Sequence, residues 1–77
     1  MSETVFNRLM AYHTYFNLLD NYFFYLSSDK DRIAIELYKN DELLVSDEIK
    51  NWTKISPEIL KKKVDIICDK LHVYKTK

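Results

Sequence analysis

Residues 22–26, Tyr22-Phe23-Phe24-Tyr25-Leu26, form an unbroken run of large side chains between Asp20-Asn21 and the polar segment Ser27-Ser28-Asp29-Lys30-Asp31. Two readings of this run lead to different folds. If Phe23 and Leu26 prolong the helical stripe that precedes them, the chain opens with one helix of about 23 residues at helical spacing. If the aromatics and their turn-forming borders are taken at face value, the run is a strand, because aromatic side chains suit a pleated, half-buried surface. The strand is favoured, which makes the order α-β-β-β-α rather than long helix, hairpin, helix.

Upstream, from Thr4 to about Leu19, the apolar residues Val5, Leu9, Tyr12, Phe16 and Leu19 recur at alternating spacings of four and three. Asn7, Thr14, Asn17 and Asn21 lie opposite, so the segment is predicted to be an amphipathic helix. Ser2 or Thr4 is suited to cap it, and Glu3 to its positive dipole end.

Downstream, Arg32-Ile33-Ala34-Ile35-Glu36-Leu37-Tyr38 alternates, with Ile33, Ile35 and Leu37 on one face. The polar tetrad Lys39-Asn40-Asp41-Glu42 then leads into Leu43-Leu44-Val45, the signature of a hairpin in which Asn40 or Asp41 takes the positive φ that glycine usually fills. The second strand of this hairpin extends to Ile49 or Trp52, unless Ser46-Asp47-Glu48 starts a helical turn.

The last element has the clearest start: Ser56 at the N-cap, Pro57 at the first helical position and Glu58 in the first turn. Leu60, Val64, Ile67 and Leu71 make its main stripe and Ile59, Ile66 and Val73 a flanking one, a wide apolar face that predicts packing across the sheet. The expected fold is α+β: an N-terminal helix, a two- or three-stranded antiparallel meander, and a C-terminal helix packed on the sheet.

With 77 residues there is room for one core, and residues 1–77 are expected to form a single small domain. The one cysteine, Cys68, cannot form an intrachain disulfide and fits a reducing compartment. No run approaches the roughly 18 apolar residues of a membrane span, and Met1-Ser2-Glu3-Thr4 lacks the basic start of a signal peptide. A cytoplasmic protein without a membrane partner is expected. Net charge is +0, with an acidic front (Glu3, Asp20 and Asp29 against Arg8) and a basic back.

Several chemistries lack their residues. Phosphate-cradling and dinucleotide turns need glycine for close backbone approach, and glycine is absent. Only Cys68 and His72 stand at a metal-ligand spacing, too few for a structural zinc. Nothing gathers a nucleophile, a histidine and a carboxylate. Neither an enzyme nor a cofactor is expected.

Binding surfaces remain. Most of the aromatics, Phe6, Tyr12, Tyr15, Phe16, Tyr22, Phe23, Phe24 and Tyr25, fall in the first 25 residues, more than a thin core easily absorbs. Tyr15, together with Tyr22, Phe24 or Tyr25, is expected to face outward as a protein-binding anchor. A second surface is Lys61-Lys62-Lys63 with Lys54, Lys70, Lys75 and Lys77, a nucleic-acid contact in the alternative reading. There the element order resembles the double-stranded-RNA-binding domain, a resemblance that implies phosphate contacts from Lys61, Lys62 and Lys63 at the start of the last helix. It extends to element order alone; that family's glycine-containing segments are missing, and Glu58, Asp65 and Asp69 offset the lysines.

Lys, Asn, Ile, Tyr, Phe and Met are abundant and Gly, Ala, Arg and Pro scarce, the skew of AT-rich coding DNA common in phages and mobile elements of low-GC bacteria. The reading that follows is a small protein-protein interaction module, an inhibitor of a host enzyme or defence complex acting by steric occlusion. A homodimer that buries its surplus aromatics is the structural alternative.

Overall fold

In a computed structural model, which describes residues 2–75 and the side chains from Phe6 to Lys75, the elements run α1 (Ser2–Asn17), β1 (Tyr22–Ser28), β2 (Arg32–Lys39), β3 (Glu42–Lys50), a 3-10 turn (Trp52–Lys54) and α2 (Pro57–Lys75). The α-β-β-β-α reading holds, and residues 22–26 are strand. The side chains of Ser2, Glu3, Thr4 and Val5, with the cap expected there, lie outside the described residues, as does Lys77.

The strands form an antiparallel meander in the order β1-β2-β3. Strand alternation sorts them cleanly: Phe24, Ile33, Ile35, Leu37, Val45 and Ile49 are buried on one face. Leu9 and Phe16 of α1 and Leu60, Val64, Ile67, Cys68 and Leu71 of α2 complete the core against them. Both helices therefore cover the same face. Arg8 of α1 is ion-paired with Asp65 of α2, and the Tyr15 hydroxyl donates to the Lys75 carbonyl at 3.3 Å, so the two helices run side by side in the same direction.

Local chemistry accounts for the corners. At the β2–β3 turn both Asn40 (φ 51°) and Asp41 (φ 68°) are left-handed, the requirement of a type I′ hairpin whose twist matches its strands. The β1–β2 turn is wound around Asp29, whose carboxylate accepts the backbone N–H groups of Asp31 (2.7 Å) and Arg32 (3.0 Å). Trp52 Nε1 and Thr53 Oγ1 then donate to the carbonyls of Asp29 and Lys30, tying the 3-10 turn to that corner. Strand β3 ends at Lys50, short of Trp52, where Asn51 turns left-handed at φ 55°. Ser56 caps α2, its hydroxyl accepting the Ile59 N–H at 3.4 Å.

Two expectations change. α1 stops at Asn17, and Leu19 lies in the connection, its N–H bonded to Phe16 O at 3.1 Å. The Ile59, Ile66 and Val73 stripe is about half exposed: at 100° per residue it points well away from the Leu60–Val64–Ile67–Leu71 stripe, and with α1 filling the space beside α2 only that main stripe reaches the sheet.

Candidate interaction surface

Because both helices occupy one face, the other face of the sheet carries no covering element among the described residues. Strand register lays its side chains out in rows. The first row, at the β2–β3 hairpin end, is Phe23, Tyr38 and Leu43. The second is Tyr25, Glu36 and Ser46; the third Ser27, Ala34 and Glu48; the fourth Arg32 and Lys50. Successive rows are separated by two residues of strand, about 7 Å.

The first row is apolar and solvated. Phe23 is 55% exposed and Leu43 49%, and the Phe23 and Tyr38 rings lie 6.3 Å apart across the strands. Leu43 belongs to it because of a β-bulge. Leu37 pairs with Val45 and Tyr38 with Leu43, leaving Leu44 as the extra residue. An unbroken strand would put Leu43 on the core side with Val45; the bulge turns it outward.

The middle rows are shallower and charged. Ala34, with only a methyl group, forms the floor of a depression of about 510 Å³ bordered by Tyr25, Arg32, Glu36, Ser46 and Glu48. Arg32 and Lys50 both converge on Glu48, at 3.3 and 3.7 Å. Glu36 is half-buried and accepts the Tyr38 hydroxyl at 3.0 Å; that bond, with some desolvation, raises the Tyr38 pKa and keeps the phenol protonated. Among the described residues Glu36 has no cationic partner.

Of the anchors expected from sequence, Tyr25 lies on this face and is 47% exposed. Phe24 does not; it is 1% exposed, stacked on Phe16 and met edge-on by His13. This corrects the expectation that it faces outward: alternation sends Phe23 and Tyr25 to water and Phe24 to the core. Tyr22 is half-buried on the core side, its ring 5.2 Å from that of Phe16 with Lys39 Nζ above it. Tyr15 is half-buried at the α1–α2 junction, with Lys75 Nζ 5.0 Å from its ring centre. The outward cluster is thus Phe23 and Tyr25 with Tyr38 and Leu43 from the next hairpin, two residues that an N-terminal aromatic count does not reach. The alternation of Arg32–Tyr38 already placed Tyr38 opposite the core face; only the bulge adds Leu43.

Both sheet edges are blunted. On β1, the Asn17 side chain donates to the Phe24 carbonyl (3.1 Å) and accepts the Phe24 N–H (2.8 Å), occupying both outward backbone groups of that residue as a neighbouring strand would. On β3, Asp47 Oδ1 accepts the Glu48 N–H (2.9 Å), Asp47 Oδ2 holds Lys70 (2.9 Å), and the bulge interrupts the ladder. Strand addition is disfavoured at such edges.

The lysine surface is dispersed. Lys61, Lys62 and Lys63 are exposed but fan through about 200° of the helix, and the Ile59–Ile66–Val73 line passes between Lys62 and Lys63. Lys70 is committed to Asp47. No group of three His, Cys, Asp or Glu side chains close enough for a metal occurs among the described residues. Cys68 is buried, and desolvation pushes its thiol pKa up, away from a reactive thiolate. Burial likewise raises the Tyr12 hydroxyl, and the bond to Asp65 raises the Arg8 guanidinium. No helix of the described residues is long and apolar enough to cross a membrane.

No protein family, curated protein or solved structure matches this chain.

Proposed function

We propose that this chain is a non-catalytic protein-binding module whose open sheet face docks on another protein and occludes the surface it covers. One observation carries the reading: Phe23, Tyr25 and Leu43, each about half exposed, are gathered beside the half-buried Tyr38 on a face that no element covers among the described residues. Grouped apolar side chains rimmed by charge are the anatomy of an interface, and aromatics bury much area for little loss of rotamer freedom. The composition skew supports a phage or mobile-element origin, with a host enzyme or defence complex in the cytoplasm as the target and inhibition by steric occlusion as the outcome.

The blunted edges favour face docking over strand addition. The nucleic-acid alternative is less well supported, since the lysines diverge around α2 and an apolar line separates two of them, whereas a nucleic-acid footprint needs clustered charge.

The test uses tagged wild-type protein and a Phe23→Ala, Tyr25→Ala variant on a low-GC bacterial lysate, with the captured protein identified and the pair rebuilt from purified components. Wild type is expected to hold one partner at equal stoichiometry and the variant to lose it. Equal retention by both, or no partner for wild type, overturns the reading. Sedimentation at several concentrations separates it from homodimerisation.

A further inference from the structure

We infer that Glu36 is a receptor for a cationic side chain, an arginine for preference, presented by the protein that docks on the open face beside an apolar residue that fills the Phe23–Tyr38–Leu43 row. The inference rests on the proposed docking role of this face and specifies its partner's chemistry.

The charge arrangement of the face leads to it. Its cations among the described residues, Arg32 and Lys50, both approach the Glu48 carboxylate. One row away, Glu36 has only the neutral Tyr38 hydroxyl among the described residues. When a docking protein covers the face, Glu48 is sheltered with its countercharges in place, whereas Glu36 loses water with no countercharge beside it among the described residues. A buried carboxylate without a cation is costly, so a partner that covers this face well must bring one.

The surroundings suit a guanidinium. Tyr25 is paired with Glu36 across the strands, so its half-exposed ring stands beside the carboxylate and offers a face for cation–π contact. Ala34, next along β2, leaves the depression into which a long side chain can descend. A planar fork that stacks on the ring while bonding the carboxylate is the geometry of arginine rather than lysine. The apolar row lies one step, about 7 Å, from the Glu36 row, the spacing of side chains two apart on an extended segment.

A second copy of this chain does not meet the need. Laid face to face with strands aligned, one two-fold arrangement puts Glu36 against Glu36. The other, with all four rows overlapping, puts it against the Ala34 and Glu48 row and sets the apolar row on Arg32 and Lys50; sliding by one row to bring Glu36 to the Arg32 row sets Glu48 against Glu48 and leaves the apolar row beyond the overlap. Complementarity points to a heterologous partner.

The test is a titration of isotopically labelled protein followed by amide chemical shifts, with two capped tripeptides as probes, acetyl-Leu-Ser-Arg-amide and acetyl-Leu-Ser-Gln-amide. We expect the arginine probe to shift the Tyr25, Ala34, Glu36 and Ser46 amides and to bind about fivefold tighter than the glutamine probe, the upper end for an exposed ion pair. Glu36→Gln should erase that difference, and Glu48→Gln should retain it. Equal binding of the two probes on the face overturns the cation assignment while leaving the docking face standing. Shifts from neither probe, an unchanged difference in Glu36→Gln, or its loss in Glu48→Gln also overturn it. Failure of the docking face itself is read separately, from the Phe23→Ala, Tyr25→Ala capture experiment.

Discussion

Phe23 and Phe24 are chemically identical neighbours that the strand sends to opposite faces, so a matched pair of substitutions tests the element on which the fold turns. Phe24 is 1% exposed, stacked on Phe16 with ring centres 6.2 Å apart and touched by His13 at 5.9 Å. Truncating it to alanine removes about 3–5 kcal/mol, comparable to the roughly 3–5 kcal/mol of net stability that a core in a chain this short supplies. Phe24→Ala should therefore leave little folded protein. Phe24→Leu is the graded version: it keeps most of the apolar volume and loses two aromatic contacts worth about 0.5–1.5 kcal/mol each, a total of about 1–3 kcal/mol. Phe23→Leu changes a side chain already half in water and should stay within about 0.5 kcal/mol of wild type. Urea unfolding followed by Trp52 fluorescence reads both. With a slope near 1 kcal/mol/M for a small protein, the Phe24→Leu midpoint should fall by about 1–3 M and the Phe23→Leu midpoint by about 0.5 M or less, with slopes unchanged. Equal midpoints for the two variants would refute the alternation over residues 22–26, and with it the placement of Phe23 and Tyr25 on the open face.

Two further outcomes follow from single groups. Asn17→Ala removes both bonds to the Phe24 backbone, which at about 1 kcal/mol each should cost about 1–2 kcal/mol in the same unfolding assay. It also opens the β1 edge, so sedimentation should show concentration-dependent association beyond that of wild type; a variant as stable as wild type and with the same sedimentation would show that the side chain does not guard the edge. Burial raises the Cys68 pKa, so in alkaline solution the unfolded thiol ionises before the folded one and the unfolded state then binds fewer protons. Stability from this group is therefore complete below the ordinary thiol range, near pH 8.5, and falls as pH rises from there toward the folded pKa. Cys68→Ala should flatten the first part of that decline in urea midpoints measured from pH 7 to 10, while a decline of unchanged steepness would assign it to other groups.

Much of the fold is legible in local pattern. Four-and-three spacing in α1, alternation in β2, the Asn40-Asp41 turn without glycine and the Ser56-Pro57-Glu58 start of α2 each act over a few residues. A reading that sees only neighbours can therefore recover them. The aromatic run at 22–26 divided the reading because a short apolar run satisfies both periods, and Ser46-Asp47-Glu48, open to a helical turn, is strand within Glu42–Lys50.

The surface was less legible, since exposure depends on what lies across the fold. Ile59, Ile66 and Val73 read as a second packing stripe, yet α1 takes the place beside α2 and leaves them in water. Tyr15 and Tyr22 read as surplus aromatics, yet Lys75 and Phe16 partner them.

What the sequence by itself determined is the order of the elements, the type of those with a clear period or start, and the shared face of Ile33, Ile35 and Leu37, because hydrophobic periodicity and turn chemistry are local. Only the tertiary structure decided which face is left open: both helices pack on the Phe24–Ile35–Val45 side, and the bulge at Leu44 turns Leu43 away from it. The same holds for Glu36, which has no cation among the described residues while Arg32, from the neighbouring strand, and Lys50 both settle on Glu48.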